Sequence, residues 1–252
     1  MKIAIVTGAS SGMGREMVYE LADRFAALEE IWVIARRKER LDEFDGRLPV
    51  KCRKFVLDLS RQEDRIKLSE ALEEIRPEVK ILVNAAGFGA TGAVGTVSEQ
   101  DSIGMIRLNC EALTAVTECV LPYISSNSRI IQFASAAAFL PQPGFAVYAA
   151  SKAFVLSYSR GLNAELRNKQ ITVTAVCPGP VKTEFFDIAL HGGKLTSYKK
   201  WVMVKPKKVV RQAIRDSQMG REISIAGLPM KLFFVLCKVL PHRLLMQFIT
   251  WK

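Results

Sequence analysis

Thr7-Gly8-Ala9-Ser10-Ser11-Gly12-Met13-Gly14, TGASSGMG, is the stretch that decides how this chain is read. It follows directly on the apolar run Lys2-Ile3-Ala4-Ile5-Val6 and precedes a helix-like segment over 12–27. Backbone N–H groups at a helix N-terminus attract anionic oxygens, and glycines let a ligand approach the main chain with no Cβ in the way. A Gly-rich turn alone is weak evidence, and its seat at a strand-to-helix junction makes it a phosphate-binding candidate. Three glycines serving only a tight turn is the competing reading.

Working outward, apolar runs at 2–6, 31–35, 52–59, 80–84, 129–135 and 171–179 alternate with amphipathic stretches at 12–27, 37–45, 61–75, 98–125 and 146–168. The runs are rich in β-branched residues and bounded by turn residues, as strands covered on both faces should be. This alternation predicts an α/β fold, a doubly wound parallel sheet of the Rossmann type in a single domain. A further helix is expected from Pro206, and a last strand within 221–227.

Composition narrows the class. The 252 residues are about half apolar, enough for a substantial core. Five scattered cysteines form no Cys-x-x-Cys pair or metal pattern, so a reduced, cytoplasmic protein with no metal is expected. Residues 1–8 are too short a lead-in for a signal-peptide core. The net charge of +11 is concentrated in residues 182–252, which hold 14 Lys/Arg against 4 Asp/Glu. A solvated basic face or attraction to a membrane surface fits that asymmetry; no aromatic interleaving or known module supports nucleic-acid binding.

The spacing Gly-x-x-x-Gly-x-Gly, with residues 8–14 after the first strand, resembles the cofactor loop of the short-chain dehydrogenase/reductase family. In dinucleotide folds an acidic residue ending the second strand binds the ribose of NAD. Here that place reads Ala35-Arg36-Arg37, and an arginine forms charge-assisted bonds to a 2′-phosphate, so NADP(H) is expected. Arg36 follows the strand directly and is the better candidate; Arg37 also reads as helix-start surface charge. Asp58-Leu59, ending the third strand, resembles the family's adenine contact. Asn84-Ala85-Ala86-Gly87 resembles its cofactor-facing turn, with Ala85 where a second Asn is more usual.

Tyr148 and Lys152 stand four apart, a spacing that puts both on one helix face. Ser135 lies thirteen residues before Tyr148 at the end of the fifth predicted strand, and Asn109 sits inside a predicted helix that it fits poorly. Together they resemble the family's Asn-Ser-Tyr-Lys constellation. Hydride transfer to a ketone leaves an alkoxide needing a proton, and a phenol of ordinary pKa about 10 is a slow partner near neutral pH. A nearby Lys152 ammonium, together with the positive charge of oxidised nicotinamide, should lower that pKa. Ser135 can donate to the carbonyl oxygen. The resemblance further implies that Lys152 holds the nicotinamide ribose and Asn109 orders a proton-relaying water. Pro178-Gly179-Pro180-Val181-Lys182-Thr183 resembles the family's carboxamide-contacting segment, with Val181 through its backbone and Thr183 through its hydroxyl.

The resemblance spans residues 1–183. It implies a homodimer or homotetramer, a catalytic domain over 1–227, and a substrate lid over 184–203 carrying Phe185, Phe186 and Trp201. Residues 228–252 read as two short amphipathic helices. They are free to close the pocket, form a subunit interface or lie on a membrane. The function expected is NADP(H)-linked interconversion of a ketone and a secondary alcohol on a bulky apolar substrate, hydroxysteroid or bile-acid-like. A 3-oxoacyl or general carbonyl reductase is the alternative, and a non-catalytic NADP(H)-binding regulator the rival of another class.

Overall fold

A computed structural model describes residues 1–185, 189 and 203–247. The run after Met1 forms β1 (Lys2–Thr7). Successive side chains of a strand point to opposite faces, so Ala4 and Val6 enter one core and Ile3 and Ile5 another. Both faces must therefore be covered, and helices cover them. On the first face α1 (Gly12–Arg24) contributes Met17, Val18 and Leu21, beside Val209, Val210 and Ile214 of α7 (Pro206–Gln218). On the second, α3 (Gln62–Ile75) contributes Leu68 and Leu72, and α6 (Ala146–Leu166) contributes Leu162 and Leu166.

The other strands are β2 (Glu30–Ala35), β3 (Lys51–Val56), β4 (Glu78–Asn84), β5 (Ile124–Phe133), β6 (Thr172–Val176) and β7 (Ile223–Ser224). All pair in parallel in the order β3-β2-β1-β4-β5-β6-β7. The chain winds outward from β1 in one direction, then returns and winds in the other. A crevice consequently opens at the carboxyl ends of β1 and β4, where the winding reverses. Here the strand ends are tied together: the Thr7 hydroxyl accepts from the N–H groups of Ala85 at 3.1 Å and Ala86 at 3.2 Å.

Several boundaries differ from expectation. β3 stops at Val56 instead of running through 59, because Asp58 turns the chain: its Oδ1 accepts from the Ser60 N–H and hydroxyl, and its own N–H donates to Asp64. The helix expected over 98–125 is divided into α4 (Glu99–Ile106), a π-helical turn (Arg107–Ala112), α5 (Leu113–Val120) and a 3₁₀ turn (Leu121–Tyr123) that contains Pro122. Finally, β5 ends at Phe133, so Ser135 lies beyond the strand; its hydroxyl accepts from the Ala137 N–H and starts a 3₁₀ turn over Ala136–Phe139. The short α2 (Lys38–Asp42) occupies part of the helix expected at 37–45.

The tail forms two helices, as its pattern predicts: α8 (Leu228–Val239) and, after Pro241, α9 (His242–Gln247). The inner face of α8 lays Phe234 against Phe139, ring centroids 4.7 Å apart, and Met230 against Gly179. Its outer stripe of Leu228, Leu232, Val235 and Val239 is exposed. No helix among the described residues is long and apolar enough to cross a bilayer.

Gly8 is where β1 and β4 come closest to touching through their backbones. Its φ is +67°, and a Cβ there would stand 2.7 Å from the Ala85 carbonyl and the Ala86 nitrogen. Gly8→Ala should therefore cost about 2 kcal/mol or more in urea denaturation, through a left-handed conformation and a forced separation of β1 from β4.

Candidate active site

The crevice gathers most of the residues singled out from the sequence. Gly14 allows α1 to start directly beneath the loop, since a Cβ on it would run into the Gly8 carbonyl. Ser11 is the N-cap of α1 yet makes no side-chain cap bond, and the first turn, which includes Met13, holds no carboxylate. The leading N–H groups of α1 are thus left to an external anion, with a favourable helix dipole behind them. Gly12, with φ +55°, faces Thr183, whose Cγ2 would lie 3.3 Å from an added Cβ. This cradle of uncapped donors and bare backbone fits a dinucleotide phosphate.

Basic residues flank the cradle. Arg36 has a side chain 73% exposed, with Asp58 its nearest anion at 3.9 Å. Arg37, the residue that starts α2, donates to the Ser10 hydroxyl at 3.2 Å and to Glu184 at 3.0 Å, so this helix-start charge is also tied to the glycine loop. Leu59 is buried behind Asp58.

Two candidates have side chains that are engaged locally. The Asn84 side chain is buried and donates to the Thr117 hydroxyl at 3.0 Å, which turns it away from the crevice toward α5; only its main chain faces the site with Ala85. Thr183 makes no more than long local contacts, 3.5 Å to the Val181 carbonyl and 3.4 Å from the Phe185 N–H, and lies against the glycine loop. The backbone of Pro180 and Lys182 is bridged to Val204, which fixes Val181 beside it.

At the reacting end, Tyr148 and Lys152 do share one face of α6, both buried, with the ammonium 5.8 Å from the phenol ring centroid. Lys152 donates to the Phe133 carbonyl at 2.8 Å, at the end of β5. Burial pulls its pKa down to about 8, against a smaller opposing influence from the Cys110 and Cys177 thiols. Burial pushes the Tyr148 pKa up to about 12, and the influence of Ser135 opposes this only in part. At neutral pH the phenol holds its proton and the lysine is charged, the states a proton donor and its electrostatic partner require.

Asn109 explains the π turn. Fully buried within it, its Oδ1 accepts from the Phe88 N–H at 3.1 Å, while its Nδ2 donates to the Phe88 carbonyl and to Ser151, each at 3.0 Å. Both amide hydrogens are consumed, so the side chain does not itself donate to a relay water. It pins the loop after β4, where a Cβ on Gly87 would lie 2.8 Å from Asn109 Oδ1 and 3.4 Å from Lys152 Nζ. π turns often mark functional sites, and this one brings the loop to the lysine.

Aromatic rings cover Tyr148. Phe145 stacks on it at 4.2 Å and Phe185 tilts against it at 5.4 Å, and all three rings converge on Gly89. Beside them a cavity of about 50 Å³ is lined by Ala90, Val94, Val97, Met105, Phe145 and Val147 among others. Of the substrate candidates, Phe185 and Ser135 are therefore at the site; Phe186 and Trp201 lie outside the described residues. Phe145, Ser151 and the loop beyond Gly87, residues 88–97, have no counterpart in the sequence reading. The glycine density of Gly87, Gly89, Gly92 and Gly95 was the visible signal. Among the described residues no cluster could hold a metal.

A model of the short chain dehydrogenase family matches residues 2–190. The chain belongs to the short-chain dehydrogenase family. It is thus an oxidoreductase of carbonyl and alcohol groups. It is 34% identical over 201 residues to sulfoacetaldehyde reductase 2 of Chromohalobacter salexigens, covering 77% of this chain and 79% of that one. Its structure resembles a short-chain dehydrogenase from Sphingobium yanoikuyae in complex with NADPH, TM-score 0.80 and 27% identity over 100% of this chain and 98% of the other. A bulky-bulky ketone specific alcohol dehydrogenase from Comamonas testosteroni matches with TM-score 0.77 and 27% identity, over 100% and 96%.

The buried lysine yields a stability test. Its folded pKa lies below the ordinary 10.5, so the cost of keeping it charged is full below about pH 8 and lifts as pH rises toward 10.5. Lys152→Met should melt at the same or a higher temperature than wild type at pH 7, with the difference shrinking by pH 10 in thermal scans. Asn109→Ala strands both Phe88 backbone groups and should cost about 2–4 kcal/mol by chemical denaturation.

Proposed function

We propose that this short-chain dehydrogenase is an NADP(H)-dependent oxidoreductase interconverting a ketone and a secondary alcohol whose substituents are bulky and apolar, a hydroxysteroid or bile-acid-like compound being one form. The observation that carries the reading is the buried pair of Tyr148 and Lys152 on one face of α6. The cradle at residues 8–14, with Arg36 and Arg37 beside it, supports the cofactor choice. The apolar lining around Tyr148, including Phe145, Phe185 and Met105, supports the substrate class.

When bound, the reduced nicotinamide supplies the hydride. Ser10, Ser11, Gly12, Met13 and Gly14 offer their backbone to the pyrophosphate, while Arg36 takes the 2′-phosphate. Asp58 and Leu59 would hold the adenine, and Asn84, Ala85 and Gly87 would offer main chain to the ribose. Pro178, Gly179, Val181 and Thr183 close the nicotinamide end. Ser135 donates to the carbonyl oxygen, so the carbon is polarised for attack. As the carbonyl carbon gains hydride, the Tyr148 O–H gives its proton to that oxygen, and the charge left on the phenolate is stabilised by Lys152. Asn109 acts by holding the Gly87–Phe88 backbone in place, which sets the floor of the site.

In this reading residues 1–227 carry the reaction in the cytoplasm. The inner face of α8, against Phe139 and Gly179, supports a role for the 228–252 extension in buttressing the nicotinamide end. Its exposed outer stripe supports a subunit contact within a homodimer or homotetramer, or contact with a lipid surface.

Purified protein mixed with NADPH and a panel of apolar ketones should lose nicotinamide absorbance. Tyr148→Phe should lower turnover by at least about 100-fold while nucleotide fluorescence still reports NADPH binding; undiminished turnover overturns the role of Tyr148. NADPH bound without turnover of any ketone favours the regulator.

A further inference from the structure

Glu184 stands where no carboxylate is needed for the reaction. It immediately follows Thr183, and from there it reaches across to the other half of the sheet, 147 positions away in sequence. Its Oε2 accepts from Arg37 at 3.0 Å, and its Oε1 lies 3.6 Å from Arg40. Arg37 is at the same time bonded to Ser10, inside the glycine loop. The adjoining cations are also partnered: Arg40 pairs with Glu43 at 3.4 Å, and Glu43 pairs with Arg15 of α1 at 2.6 Å. Arg36 alone of this group is largely exposed, 3.9 Å from Asp58.

Guanidinium groups beside a dinucleotide's adenosine ribose attract a 2′-phosphate, and a carboxylate already bonded to one of them competes for the same donors. From these contacts we infer that Glu184 is a specificity-determining residue: it occupies Arg37 as an internal anion and so limits how strongly this site prefers a phosphate-bearing nucleotide. This rests on the NADP(H) reading of the site. The 2′-phosphate that reaches Arg36 must displace Glu184 to engage Arg37 as well, whereas a nucleotide ending in a ribose hydroxyl leaves the pair intact. Because both partners are about 40% exposed, the pair is a weak one, which suits an anion that is to be exchanged.

The test compares dissociation constants for NADPH and NADH, read by nucleotide fluorescence without substrate, in wild type and Glu184→Gln. The amide keeps the shape and removes the charge. Wild type alone tests the cofactor reading: no advantage of NADPH over NADH counts against it. The change in the ratio tests Glu184. Glu184→Gln should raise the preference for NADPH by about three- to five-fold, with NADH affinity changed less than twofold. Adenosine 2′,5′-bisphosphate should gain affinity in parallel and adenosine 5′-monophosphate should not. In an Arg37→Gln background the gain should disappear. A ratio that stays fixed or falls, or a gain that survives loss of Arg37, overturns the inference; Glu184→Ala provides the same readout if the amide finds a new partner.

Discussion

The site exists because the ends of β1 and β4 approach more closely than any side chain permits. At Gly8 the two backbones leave no room for a Cβ, and the Thr7 hydroxyl, bonded to two successive N–H groups past β4, keeps them there. That contact sets where the winding of the sheet reverses into a crevice. It also sets the start of α1, because Gly14 must pass under the Gly8 carbonyl. Loosening it would shift the anion cradle and the 87–97 loop together, so one contact controls both halves of the site.

The reacting end follows a different principle, the placing of polar groups where water is scarce. Lys152 is buried, with a backbone carbonyl as its bonded partner, and Tyr148 is sealed beneath Phe145 and Phe185. Burial shifts the phenol upward, which makes it hold its proton, and pulls the lysine down to about 8, which brings its ammonium nearer to losing one. The low-dielectric surroundings that raise the cost of charge also strengthen any interaction with charge that develops during a reaction. The Asn109 π turn belongs to the same economy of space. An extra residue in the helix turns an amide inward, where it holds the Phe88 backbone against the lysine.

Much of this was legible in the chain itself. Unbroken apolar strands between amphipathic helices require a sheet covered on both faces, and the glycines at 8, 12 and 14 name the strand that starts the crevice. Tyr148 and Lys152 could be paired from helical spacing. The positions of Asn84 and Arg37 could not be read that way. An asparagine at a strand end can turn either way, and only the proximity of Thr117 decides that it faces α5. An arginine at a helix start is ordinary until Ser10 and Glu184, distant in sequence, arrive beside it.

Local pattern by itself determined the α/β alternation, the glycine turn after the first strand and the sharing of one helix face by Tyr148 and Lys152, because each depends on spacing within one strand, turn or helix; Ser135 and Asn109 joined them only through the family resemblance. The tertiary structure alone decided what surrounds them. The sign of the Tyr148 shift, the covering of that ring by Phe145 and Phe185, the use of Asn109 as a pin and the capture of Arg37 by Glu184 all arise between segments far apart in sequence. Burial and through-space charge have no signature in a linear spacing, and they become fixed only when the two halves of the sheet close on one crevice.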